Sequence, residues 1–161
     1  MRRLAGNDGF SLLEVVIVIL IMSLAMAVSY PVMTRGSTSL HLRAAGRDLL
    51  NLMRYAREKA ITEQTAMMLL ADRSSSRITL TDVMGQGAHL LTLPKDVRIQ
   101  RLTLDGVEVT DGPMLVHFLT NGSAERAEVQ LIADNGAVLR VFTDPITGGA
   151  RIQLGSGEAS P

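Results

Sequence analysis

Residues 9–28 read GFSLLEVVIVILIMSLAMAV. From Phe10 to Met33 the only charge is Glu14. As a helix rising about 1.5 Å per residue, these positions span about 36 Å, against a hydrocarbon core about 30 Å thick. The stretch therefore predicts a membrane-crossing helix. A carboxylate inside such a helix costs about 2.5–3.5 kcal/mol at the bilayer centre and less near an interface, so Glu14 is expected to have a use. Phe10 and Glu14 are four apart and share a helix face. A cut after Gly9 would leave the new amine of Phe10 close to Glu14. A carboxylate in the first turn also suits the positive end of the helix dipole. Arg2 and Arg3 precede the run, which predicts a cytoplasmic N-terminus and an exported C-terminal domain.

Plainer readings explain less. Ala25-Met26-Ala27 has the form of a signal-peptidase site after an apolar stretch of the right length, but a signal peptide gives Glu14 no use. A simple anchor accounts for the apolar run and not for Gly-Phe followed by Glu at this spacing. A soluble core helix does not need so long an uncharged stretch.

The chain has 161 residues, enough for one anchor and one modest domain, with no cysteine and a formal net charge of zero. A domain of this size builds a core without disulfides, so their absence does not exclude the periplasm. Loss of residues 1–9 removes Arg2, Arg3 and Asp8 and leaves a charge of about −1. That balance, with no tryptophan and few aromatics, speaks against a nucleic-acid partner.

Pro31 predicts a kink or interruption, because it lacks an amide donor and clashes with the preceding turn; Gly36 loosens the same region. Beyond it, Leu42, Ala45, Leu49, Leu52, Ala56 and Ala60 fall at steps of three and four, an apolar stripe expected to face a domain. Ser37, Thr38 or Ser39 can cap the start of this half. The pattern predicts one long helix from Phe10 to about Ile61, bent near Pro31. Between Arg35 and Lys59 there are six basic residues against Asp48 and Glu58. They read first as a solvated face, with acidic protein neighbours or, near Arg35, lipid headgroups as functional alternatives.

From about Thr65 the period becomes two and turn residues multiply. Strands are expected at Thr65–Ala71, Arg77–Val83, His89–Leu93, Val97–Leu104, Met114–Leu119, Ala127–Ile132, Ala137–Phe142 and Ala150–Leu154. Asp134-Asn135-Gly136 is a hairpin signal, and Asn121-Gly122 and Thr147-Gly148-Gly149 mark further turns. The expected fold is α+β: a long N-terminal helix packed on a small β-domain of two antiparallel sheets. The expected organisation is a leader at 1–9, a transmembrane helix at 10–33, its amphipathic continuation at 34–64, a β-domain at 65–154 and a loose tail at 155–161.

Catalytic chemistry finds no support. His41, His89 and His117 are far apart with no HExxH pair, and there is no phosphate loop or nucleophile elbow. Asp105, Glu108 and Asp111 cluster in DGVEVTDG, but the spacing is not that of an EF-hand and the glycines read as turns. No enzyme, cofactor or metal is expected.

The head of the chain, Gly9-Phe10 with Glu14 and the apolar helix, resembles the processing signal of type IV pilins and type II secretion pseudopilins. The resemblance implies cleavage after Gly9 by prepilin peptidase, N-methylation of Phe10, and a role for Glu14 in filament assembly. Phe118, Asn121-Gly122-Ser123, a strand pair and Asp144-Pro145-Ile146-Thr147-Gly148 resemble the H-type minor pseudopilin domain, shared with FimT-like minor pilins. It implies a structural subunit at or near the tip of a periplasmic pseudopilus. Its location would be the bacterial inner membrane, single-pass, with the C-terminal domain in the periplasm. Its partners would be other minor and major pseudopilins, prepilin peptidase and the inner-membrane assembly platform. The alternative of the same class is a FimT-like minor pilin of a type IV pilus, although GSGEASP at the C-terminus offers no basic residue for DNA. A different class would be a membrane-anchored or secreted ligand-binding β-domain.

Overall fold

A computed structural model describes residues 11–155, except for the side chains of 27–37. The leader 1–9, Phe10 and residues 156–161 lie outside the described residues. The chain divides into two units between Gly36 and Ser37. The elements are α1 (Leu12–Thr62), β1 (Met67–Asp72), β2 (Arg77–Asp82), β3 (His89–Thr92), β4 (Val97–Leu104), β5 (Val107–Glu108), β6 (Met114–Phe118), β7 (Ala127–Ala133), β8 (Val138–Thr143) and β9 (Ala150–Gly155).

In the first unit, the large apolar side chains from Leu12 to Met26 are 46–83% exposed, on every face. Ser23 Oγ donates back to the Leu20 carbonyl at 2.8 Å, so its hydroxyl needs no outside partner. Helical structure runs unbroken through Pro31, which corrects the expected possibility of an interruption. A proline forfeits one i→i−4 bond, and the bonds of the flanking turns carry the helix past it.

The second unit is the β-domain with the C-terminal part of α1. One antiparallel sheet has the order β3-β2-β1-β6 and the other β5-β4-β7-β8-β9. Alternation sends one face of each strand inward: Met67, Leu69 and Ala71 from β1, Met114, Val116 and Phe118 from β6, and Val129 and Leu131 from β7. Leu42, Ala45, Leu49, Met53, Ala56 and Ala60 of α1 complete the same core. Met53 takes the place expected for Leu52, which is only partly buried. Steps of three and four from Leu49 are equally helical, so periodicity does not choose between them. The sheets choose Met53, whose unbranched side chain adapts to an irregular gap. Gly46 is also buried; a Cβ there would lie 2.6 Å from Leu139 Cδ2. The missing side chain lets α1 approach β8.

Two local features depart from simple alternation. Register shifts between Ile99 and Arg101 on β4. This bulge leaves Gln100 and Arg101 both exposed before the inward pattern resumes at Leu102. The stretch 105–112, whose glycines read as turns, contains β5, paired with the end of β4. Asp105 and Gly106 both have positive φ, 50° and 84°, the geometry of a tight hairpin turn.

Candidate functional site

The head of α1 begins with Ser11, whose carbonyl accepts from the amides of Glu14 at 2.9 Å and Val15 at 3.3 Å. Glu14 therefore lies in the first turn, exposed, where amides without intrahelical partners favour a negative charge. Gly9 and Phe10, the other residues of the expected processing site, lie outside the described residues, as does the side chain of Pro31. Among the described residues no helix is long and apolar enough to cross a membrane. Leu12–Met26 alone is ~22 Å long, and the expected span of 10–33 extends beyond it at both ends.

Where α1 enters the second unit, polar groups fasten it to two turns. His41 Nδ1 lies 2.8 Å from Asp96 Oδ2, in the β3–β4 connection. Asn135 Nδ2, in the β7–β8 turn, donates to Ser39 Oγ at 3.0 Å. Asp134 N donates to the Asp96 carbonyl at 3.0 Å, tying these turns to each other. The hydrogen bond from His41 holds the Asp96 carboxyl below its ordinary pKa.

Farther along α1, Arg57 Nε donates to the Gly122 carbonyl at 3.1 Å. Gly122 and Gly148 both have positive φ, 85° and 61°. A Cβ on Gly148 would collide with the carbonyl oxygen of Gly122. The two C-terminal glycine turns thus lie against each other and against Arg57. Asn121 Oδ1 accepts from Ser123 N at 3.0 Å and Ser123 Oγ at 2.7 Å. Asp144 Oδ1 accepts from Thr147 N at 3.0 Å and Ile146 N at 2.9 Å, and these bonds lower its pKa. Phe118, between the first turn and the core, is fully buried.

The three histidines stay apart. His41 pairs with Asp96, His117 Nδ1 meets Glu125 Oε2 at 2.9 Å, and His89 packs edge-on against Tyr55 with ring centroids 5.0 Å apart. Glu108 is engaged by Arg101 at 3.3 Å and Arg73 at 4.0 Å. Among the described residues no three His, Cys, Asp or Glu side chains stand where they could share a metal ion. A groove of about 370 Å³ runs between α1 and β3, lined by Asp48, Asn51, Tyr55 and His89 among others. It holds no nucleophile with an activating base.

Sequence reasoning located the two glycine turns and missed that they abut, and it missed Arg57, His41 and Asp96 as fastenings. Such contacts join residues 26–91 positions apart, where no local pattern exists. Gly46 left a signal, a glycine inside a well-patterned helix.

Residues 4–30, which include Gly9, Phe10 and Glu14, match the family model described as the prokaryotic N-terminal methylation motif. Type II secretion system protein H of Xanthomonas campestris pv. campestris is 27% identical over 93% of this chain and 83% of its own. Two structures of the minor pseudopilin EpsH from the type 2 secretion system of Vibrio cholerae are similar in fold. One has a TM-score of 0.59 at 15% identity, covering 74% of this chain and 97% of that one. The other has a TM-score of 0.56 at 12% identity, covering 71% and 97%. The fold is thus the α+β, pilin-like one expected, and the resemblance to H-type minor pseudopilins is borne out.

Proposed function

We infer that this chain is a minor pseudopilin of the H type, a structural subunit of a type II protein secretion system. The observation that carries the reading is the likeness to protein H over nearly the whole chain, headed by the methylation motif. Prepilin peptidase reads Gly9 and cuts before Phe10, whose new amine is methylated. Residues 10–33 hold the subunit in the inner membrane, and the β-domain stands in the periplasm. Pro31 kinks the helix, because it lacks an amide donor and crowds the preceding turn. Glu14 takes the amine of a neighbouring subunit as its partner. An unpaired charge is costly in a low-dielectric setting, so this pair favours one register of assembly over others. The subunit assembles with other minor and major pseudopilins, at or near the tip of the pseudopilus, on the inner-membrane platform. Its role is mechanical and catalyses no reaction.

Two measurements on the native host test this. Intact mass and N-terminal sequencing are expected to give a chain beginning at N-methylated Phe10; a start at Val28 returns it to ordinary secretion. Deletion of the gene is expected to stop release of a secreted enzyme and leave surface pili and their motility intact. Loss of pili with normal enzyme release overturns the secretion reading in favour of a type IV pilus.

A further inference from the structure

The packed part of α1 turns its stripe of Leu42 to Ala60 inward, and its outer face is strongly basic. At about 100° per residue, Arg43, Arg47 and Arg54 project within about 40° of one another. All three are exposed. None of them has a hydrogen bond or ion pair among the described residues. In the β-domain Arg73, Arg98, Arg101 and Arg140 each lie within 4.0 Å of a carboxylate, while Arg77, Arg126 and Arg151 stand apart along the chain and form no such pair among the described residues. Glu58 stands one turn beyond Arg54 on the same side and forms no ion pair with it. Arg43 and Arg47 are like charges at i and i+4, an arrangement that weakens a helix. The domain gains nothing from this stripe by itself.

We propose that Arg43, Arg47 and Arg54 form a docking face for an acidic helix on a different subunit of the filament. The proposal rests on the reading of the chain as a pseudopilus subunit. The shape of the charge selects the occupant. Arg43 and Arg54 are ~16 Å apart along the helix, too far to converge on one small anion. The stripe is narrow and parallel to the helix axis, so its complement is a row of carboxylates at steps of four and seven on a helix lying alongside. A second copy of this chain is a poor complement. Its own packed helix carries Arg43, Arg47, Arg54, Arg57 and Lys59 against Asp48 and Glu58, so like charge meets like. Complementary charge across the face speeds encounter and rejects wrong neighbours. A low-copy subunit needs such a device to join others and not itself.

The test uses the full chain in the inner membrane, co-expressed singly with each of the other methylation-motif subunits of its host. A photoreactive residue at Asn51 reports the neighbour. R43E/R47E/R54E is expected to lower recovery of one particular subunit about tenfold. The triple lysine variant is expected to retain it, and Glu→Lys changes at the partner's matching carboxylates to restore it to the reversed variant. Leader cleavage and protease resistance of the β-domain monitor folding; if the reversed variant fails that check, the triple glutamine variant is read in its place. Undiminished recovery overturns the proposal. So does a crosslink formed only between copies of this chain, or a loss confined to binding of phosphatidylglycerol vesicles. If the unmodified chain recovers no other subunit, the proposed function falls with it; if recovery is normal and indifferent to the arginines, only this inference falls.

Discussion

Two stretches of one helix meet opposite surroundings. From Leu12 to Met26 the large apolar side chains are exposed on all sides. From Leu42 to Ala60 they line one buried stripe, with charges elsewhere. The second stretch is amphipathic because its own chain supplies the surface it packs on. The first is apolar all round, with no one-sided stripe. The difference teaches that hydrophobicity alone does not say what a helix packs on. The angular distribution does, because a one-sided stripe matches a sheet and a uniform one matches a medium.

The comparison breaks most easily at equivalent leucines. Leu49→Ala empties a fully buried site and is expected to destabilise the β-domain by about 2–5 kcal/mol. Met53→Ala is expected in the same range, and Leu52→Ala well below it. Leu20→Ala, at a residue 64% exposed, is expected to leave β-domain stability unchanged and to weaken membrane retention instead. Urea unfolding of the full chain in detergent, followed by hydrogen exchange in β7, measures all four. Equal losses at Leu20 and Leu49 would erase the distinction between the two stretches.

The glycines sharpen it. Gly148→Ala sets a Cβ against the Gly122 carbonyl at a positive φ, with an expected cost of about 1–3 kcal/mol. Gly46→Ala is expected to cost about 1 kcal/mol net: helix propensity gains about that much, and displacing buried Leu139 costs about 1–3. A Leu139→Val background is expected to relieve part of that loss. A stabilising Gly46→Ala would mean that α1 does not approach β8 so closely.

The smallest expected effect is acid sensitivity, confined to the second stretch and its domain. Hydrogen bonds from Ser75 and Ser74 lower Asp72 to about 2, and those described above lower Asp96 and Asp144. A carboxyl depressed in the folded state contributes stability above its unfolded pKa of about 3.9. That contribution fades as pH falls through the folded value. The urea midpoint is therefore expected to drop between about pH 4 and about pH 2. Asp96→Asn is expected to flatten part of that slope while also loosening His41. A midpoint that rises in this window would contradict the assigned bonds.

Local periodicity by itself determined the element plan. A run of uncharged residues, a step of three and four, and an alternation of two are short-range properties that need no knowledge of the fold. They located α1 to within two residues and eight of the nine strands nearly as closely. The methylation motif was legible for the same reason, because it occupies one continuous stretch, residues 4–30. Tertiary structure alone decided Met53 over Leu52, the approach of Gly46 to Leu139, and the meeting of Arg57 with two glycine turns. It also isolated the outer arginines. These depend on which surfaces the sheets bring to the helix, and that is set by contacts between residues dozens of positions apart, each too weak to leave a pattern in the chain.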